Sequence, residues 1–282
     1  MPRRAAQGYL RRVIRPRSRP LLVLTGLAAV VASSLSLAAG APRLLALTED
    51  GGILALRADH PTEVQRLQPQ GLSGRLLGID MRPADGKLYG ITSTNDVYRI
   101  DPATGAATQV SSLTVPFDGD VRSGVDFNPQ ADRLRLVSRD GQNLRVNVLL
   151  GATAVDGALA FRAGDPNAGK RPRVTAAAYT HNIADAPDTK LFDIDADLDI
   201  LVLQDPPNDG QLTTVGPLGI DFGPLGGFDI VTDAAGHDEA WAASGATLYT
   251  VDLASGAARP SGTIGDGRVS VIGLAAIGPA AP

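Results

Sequence analysis

The chain has 282 residues, no cysteine, and 26 Lys+Arg against 30 Asp+Glu. With no thiol there is no disulfide, no lipid-modified N-terminal cysteine and no thiolate metal centre. Seven of the arginines fall in residues 1–38, where no acid occurs, which leaves 19 basic against 30 acidic side chains and a net charge of −11 with His neutral. Such a surface repels phosphate backbones and anionic lipid, so nucleic acid and membrane surfaces are excluded as partners.

The first element is that arginine-rich segment (Arg3, Arg4, Arg11, Arg12, Arg15, Arg17, Arg19), followed by an apolar run over residues 21–32 and small residues beyond it. This order is that of a secretory signal peptide, and Ser36-Leu37-Ala38 places cleavage after Ala38. Thr25, Gly26, Ser33 and Ser34 interrupt the run, which falls short of the ~20 apolar residues of a spanning helix. The expectation is a signal peptide over 1–38 and a single domain over 39–282, exported to periplasm or medium without a stable membrane anchor. The arginine pairs suggest a twin-arginine signal but lack its surrounding motif, so the export route stays open.

Past residue 38 the chain repeats. Short apolar strands opening on a small residue recur at Gly78-Ile79-Asp80, Gly124-Val125-Asp126, Ala177-Ala178-Tyr179, Gly227-Phe228-Asp229 and Gly273-Leu274-Ala275, at spacings of 46, 53, 50 and 46 residues. Five-residue strands at 44–48, 88–92, 134–138, 191–195 and 240–244 form a second set. A third follows each after a short turn, and a weaker fourth strand closes most units. Four short strands per ~45–50 residues is the blade period of a β-propeller. Asp-x-x-x-Gly turns at 101–105 and 252–256, and Asp-Gly pairs at 85–86, 140–141 and 209–210, supply hairpin chemistry.

The second-type strand at residue 44 precedes any first-type strand, and the first-type strand at 273 has no successor. Five complete units exist only if the two ends share one. The expected fold is therefore all-β, a five-bladed β-propeller closed by its C-terminal strand pairing with the N-terminal blade strands, which hides open sheet edges. A two-sheet sandwich with coincidental spacing is the competing fold.

Several strings carry a resemblance: Leu77-Gly78-Ile79-Asp80-Met81-Arg82-Pro83, Val125-Asp126-Phe127-Asn128-Pro129, Asp132-Arg133-Leu134-Arg135, Gly141-Gln142-Asn143-Leu144-Arg145-Val146-Asn147 and Pro206-Pro207-Asn208-Asp209-Gly210. Together they resemble the bacterial family known as domain of unknown function 4394, over about residues 44–277. The resemblance implies an exported propeller-like domain and carries no activity.

Among chemistry-bearing residues, Gly164-Asp165-Pro166-Asn167-Ala168-Gly169-Lys170 imitates a phosphate loop. Arg171 replaces its Ser or Thr, and Pro172 forbids the helix that must follow, so a surface loop is expected. Asp193, Asp195, Asp197 and Asp199 invite calcium. Interleaved Ile194 and Leu198 and the missing turn glycine make them read instead as a solvated acidic hairpin.

His60, His181 and His237 lie in different repeats without metal-ligand spacing. Neither Gly-x-Ser-x-Gly nor His-Glu-x-x-His occurs, so no Ser-His-Asp or zinc hydrolase is expected from motifs. The repeated Asp80, Asp126 and Asp229 stand on inner strands and converge on the channel, where they bind a cation or an amine, or else pair with a neighbouring blade's arginine or cap backbone donors. Gln142, Asn143 and Arg145 form a second ligand-binding candidate on a hairpin.

The leading functional reading is an exported binding or interaction module, its partner a small molecule or an envelope protein. No cofactor is assigned; a divalent cation at the Asp set is the one candidate. The alternative is a divalent-metal-dependent hydrolase or lactonase with carboxylates at the channel mouth.

Overall fold

Leu44, Leu45, Ala46 and Leu47 are all buried, and a run apolar on both faces suits a strand with a sheet stacked against each side. Alternation divides the run: Leu44 and Ala46 pack with Trp241 and Leu248, whereas Leu45 and Leu47 pack with Ile79 and Leu88. The same division recurs along the chain and produces a ring of stacked sheets. A computed structural model describes residues 41–233 and 235–277. The expected signal segment, 1–38, lies outside the described residues.

In chain order, β1 (Arg43–Thr48), β2 (Ile53–Arg57) and β3 (His60–Leu67) begin blade 1. Blade 2 is β4 (Leu76–Arg82), β5 (Lys87–Thr92), β6 (Asp96–Ile100) and β7 (Ala107–Ser112). Blade 3 is β8 (Ser123–Asn128), β9 (Arg133–Ser138), β10 (Asn143–Val146) and β11 (Thr153–Val155). After β12 (Ala160–Phe161), blade 4 is β13 (Val174–Tyr179), β14 (Leu191–Asp195), β15 (Ile200–Gln204) and β16 (Gln211–Pro217). Blade 5 is β17 (Gly226–Thr232), β18 (Asp238–Ser244), β19 (Thr247–Val251) and β20 (Ala258–Thr263), and β21 (Val271–Ile277) ends the described chain.

β21 pairs antiparallel with β1, Arg43 opposite Ile277 and Leu47 opposite Gly273. It is the innermost strand of blade 1, in the order β21-β1-β2-β3. The protein is thus a five-bladed β-propeller closed by its C-terminal strand. Each of the five blade interfaces carries its own apolar core. Tyr89 and Phe127 meet edge to face at 5.6 Å between blades 2 and 3, and Ile194 packs with Phe228 between blades 4 and 5. Turn chemistry follows the sequence: Asp101 Oδ1 accepts the Ala103 and Thr104 N–H groups, Asp252 Oδ1 those of Ala254 and Ser255, and Gly105 and Gly256 take positive φ.

Two details depart from the sequence reading. The register of β13 on β14 makes the inner triplet of blade 4 Ala176-Ala177-Ala178, one residue earlier than the triplet read from the sequence. Ala178 opposes Phe192 as Asp126 opposes Arg135. Blade 4 also gains a fifth strand, because β12 adds in parallel to its outer edge (Phe161 opposite Leu212). Two residues with no alternation of their own left no sequence signal.

The inner strands approach closely where they begin. A Cβ on Gly227 would stand 2.5 Å from the Gly273 carbonyl carbon and the Leu274 nitrogen of blade 1. Gly227→Ala is therefore expected to cost about 1–3 kcal/mol, read as a lower urea midpoint with unchanged slope. An unaltered midpoint would mean that the ring is looser than this.

Candidate functional site

Asp80, Asp126 and Asp229 lie at matching places on β4, β8 and β17, where they oppose Tyr89, Arg135 and Trp241. The matching positions of blades 4 and 1 are Ala178 and Ala275, so three of the five inner strands carry a carboxylate. The structure brings the three together on the ring axis: one oxygen of each lies within 4.8 Å of the others, and all three side chains are buried.

Each carboxylate also reaches into the next blade. Asp80 Oδ2 accepts the Phe127 N–H at 2.7 Å, Asp126 Oδ2 accepts the Tyr179 N–H at 2.8 Å, and Asp229 Oδ2 accepts the Ala276 N–H. Asp80 Oδ1 and Asp229 Oδ1 additionally accept the N–H of Met81 and Ile230. An innermost propeller strand has one edge without a strand neighbour, and these bonds satisfy part of it. Of the two structural partners expected for the set, the fold uses backbone donors. Among the described residues no arginine or lysine bonds any of the three.

Burial dominates the electrostatics. It raises Asp80 to about 7 against the pull of the Phe127 and Met81 donors. Burial, then the charges of Asp80 and Asp229, push Asp126 well above the usual carboxylate range, and burial, then Asp80, does the same to Asp229. Three carboxylates this close and this dry cannot all ionise unaided. They must share protons or hold a cation. On the side where the inner strands begin, Gly78, Val125, Ala177, Gly227 and Gly273 line a cavity of about 10 Å³, the room of one water or bare ion.

A second buried polar group joins blades 3 and 4. Arg135, 1% exposed, donates to Tyr179 Oη, Asn143 Oδ1, Asp156 Oδ2 and Asn208 Oδ1. In the core of the same interface lies Asp193, opposite Ala177. This corrects the expectation of a solvated acidic hairpin: Asp193 and Asp195 are both buried at 0% exposure, because their strand has a blade against each face. Asp195 is bonded by the N–H groups of Arg173, Asp197 and Leu198. Among the described residues Asp193 has no hydrogen-bond partner on either oxygen, and burial, opposed by Arg135, raises it to about 8.

The Gln142, Asn143 and Arg145 set is spread among different neighbours. Gln142 bonds the Asp118 N–H and the Pro116 carbonyl. Asn143 is buried and donates to the Gly157 and Pro207 carbonyls. Arg145 forms a two-pronged pair with Asp156. Gln142 ties the segment before blade 3 to its sheet, and Asn143 and Arg145 tie the start of the segment after it. The imitation phosphate loop is a series of turns in which Asp165 accepts the Thr214 N–H and hydroxyl.

Motif reasoning passed over one arrangement, His181 between two carboxylates. Nδ1 lies 2.6 Å from Asp188 Oδ1, and Nε2 lies 3.7 Å from Asp238 Oδ2. Asp238 is 57 residues away on another blade, so spacing held no trace of the pair. The signal available was the length of the segment between β13 and β14.

Sequence comparison matches residues 53–275 to the family described as Domain of unknown function (DUF4394). No curated protein matches. Among solved structures, a protein of unknown function from Bacteroides thetaiotaomicron is 18% identical with a TM-score of 0.45, covering 79% of this chain and 59% of that one. Virginiamycin B lyase from Staphylococcus aureus is 12% identical (TM-score 0.42, 78% and 69% covered). An auxiliary nutrient binding protein from Bacteroides ovatus is 16% identical (0.43, 77% and 57%). The chain thus spans about three fifths of the first of these.

Proposed function

The chain belongs to the DUF4394 family, which carries no assigned activity, and from that premise we propose that it is an exported binding propeller whose axis holds one hard divalent cation on Asp80, Asp126 and Asp229. The observation that carries this reading is the meeting of three fully buried carboxylates with no basic side chain among them. An all-oxygen anionic set favours Ca²⁺, Mg²⁺ or Mn²⁺. Such an ion relieves the repulsion that otherwise forces protons onto the site, and it ties blades 2, 3 and 5 at one point.

The same geometry weighs against the hydrolase reading at this place. The three carboxylates are buried, and on the side where the inner strands begin a cavity of about 10 Å³ has no room for an organic substrate. The axial ion is therefore structural, and ligand or partner contacts fall to the loops at the faces of the ring.

Elemental analysis of protein purified without chelator is expected to find a hard divalent ion. Its removal with EDTA is expected to lower the melting temperature by about 5–10 °C for a domain of this size with the site well saturated. Asp126→Asn keeps an oxygen for the Tyr179 N–H but removes the charge, and it is expected to abolish both effects. Protein without such an ion, and with melting indifferent to EDTA and to added Ca²⁺, Mg²⁺ or Mn²⁺, would overturn the proposal.

A further inference from the structure

The segment between the first two strands of a blade spans four residues in blades 2 and 3 (83–86 and 129–132) and five in blade 5 (233–237). In blade 4 it spans eleven, residues 180–190. A lengthened loop on a regular repeat is where binding chemistry gathers. This one forms, with blade 5, a cleft of about 430 Å³ lined by His181, Asp188, Lys190, Phe192, Asp238 and Leu253. That is a small-molecule volume.

His181 is fixed within it. Its φ of 54° is left-handed, a conformation that costs a non-glycine residue free energy and persists only where surrounding bonds impose it. Here its N–H is donated to Asp238 Oδ1 at 3.0 Å, and the next N–H, of Asn182, to Thr232 Oγ1 at 2.7 Å. Both anchors belong to blade 5. The ring is oriented as firmly: Nδ1 meets Asp188 Oδ1 at 2.6 Å and the Asp188 carbonyl at 3.1 Å, two acceptors that fix the proton on Nδ1. Nε2 then presents a lone pair to the cleft. Asp238 Oδ1 is held by the Thr232 hydroxyl and the His181 N–H, while Oδ2 accepts no hydrogen bond among the described residues and stands 3.7 Å from Nε2.

At that separation the pair holds a shared cation, a proton in the metal-free protein or a metal ion that displaces it. Their supports are those of a metal site, where a ligating imidazole gives its other N–H to a carboxylate or carbonyl and a ligating carboxylate is itself hydrogen-bonded. We infer that His181 Nε2 and Asp238 Oδ2 bind a divalent transition-metal ion such as Zn²⁺, with its remaining positions open to the cleft. Imidazole selects such ions over the hard cations suited to three carboxylates, so this site is distinct in chemistry and place from the axial one. With only two protein ligands, the open positions take water or an anionic oxygen of a small molecule. Lys190, exposed in the lining, supplies a charge to pair with the latter, and Phe192 and Leu253 supply apolar lining.

The test is a calorimetric titration of chelator-stripped protein with Zn²⁺ near neutral pH, in the Asp126→Asn background so that the axial carboxylates do not contribute. One ion is expected per chain. His181→Ala is expected to lose that binding, and Asp188→Asn, which alters only the partner of Nδ1, to weaken it about 10–100-fold. His237→Ala, in an exposed pair with Asp233, is expected to leave it unchanged. Stoichiometry and affinity that survive His181→Ala, or no Zn²⁺ binding at all, would overturn the inference. Either result leaves the axial proposal standing, because that one is read with hard cations and Asp126.

Discussion

Asp193→Asn is expected to stabilise the protein strongly at about pH 8 and hardly at all near pH 4. Asp193 is fully buried with both oxygens unpaired, and burial raises it from 3.8 to about 8. The folded chain therefore keeps a proton that the unfolded chain gives up above pH 3.8. Stability from this group is complete below 3.8 and is lost as pH rises toward 8, by about 1.4 kcal/mol per unit. The accumulated loss near pH 8 is on the order of 5 kcal/mol, a large fraction of a domain's stability. Asn has the same shape and no ionisation. Urea unfolding of both proteins across pH 4–9 gives the comparison. Parallel curves would show that Asp193 is not held in the dry interior of blades 3 and 4.

Removing residues 270–282 is expected to abolish cooperative unfolding. β21 supplies the whole inner strand of blade 1, and its loss exposes Leu44, Leu45, Ala46 and Leu47, opens the β1 edge and strips Asp229 of the Ala276 donor. Its neighbours on both sides, β4 and β17, lose the strand they pack on. Deleting a strand shared by two interfaces costs far more than the few kcal/mol of a point change. Circular dichroism and calorimetry are expected to show a broad, weakly cooperative transition. Retention of a sharp transition at the original temperature would mean that the ring closes without this strand.

How much of this was legible in the sequence depended on whether the signal was local or periodic. The blade count followed from recurrence of a short apolar strand opening on a small residue at 46–53 residues and from the mismatch of the two ends, and these survive folding because each repeat is one unit of sheet. The convergence of Asp80, Asp126 and Asp229 was legible for the same reason: equivalent positions of a closed ring meet at its axis. Their partners were not, since backbone N–H groups of a neighbouring strand leave no mark in a side-chain pattern. Asp193 was misjudged because Asp193 to Asp199 looks like a polar turn until a blade covers each face of β14. Tyr179 was placed one residue off because blade 4 has Ala178 in the aspartate position, opposite Phe192, and a run of three alanines gives no register of its own. His181 and Asp238 meet only because adjacent blades do.

The measurement that bears most directly on the axial site counts ions and protons together. Chelator-stripped protein carrying His181→Ala is titrated with Mn²⁺ near neutral pH, by calorimetry in buffers of differing ionisation enthalpy. Because burial holds Asp80 at about 7 and pushes Asp126 and Asp229 well above the usual carboxylate range, binding one ion must displace protons. The account predicts one ion bound per chain with at least about one proton released, and the loss of both in Asp126→Asn. No binding, or binding that releases no proton and persists in Asp126→Asn, would contradict it.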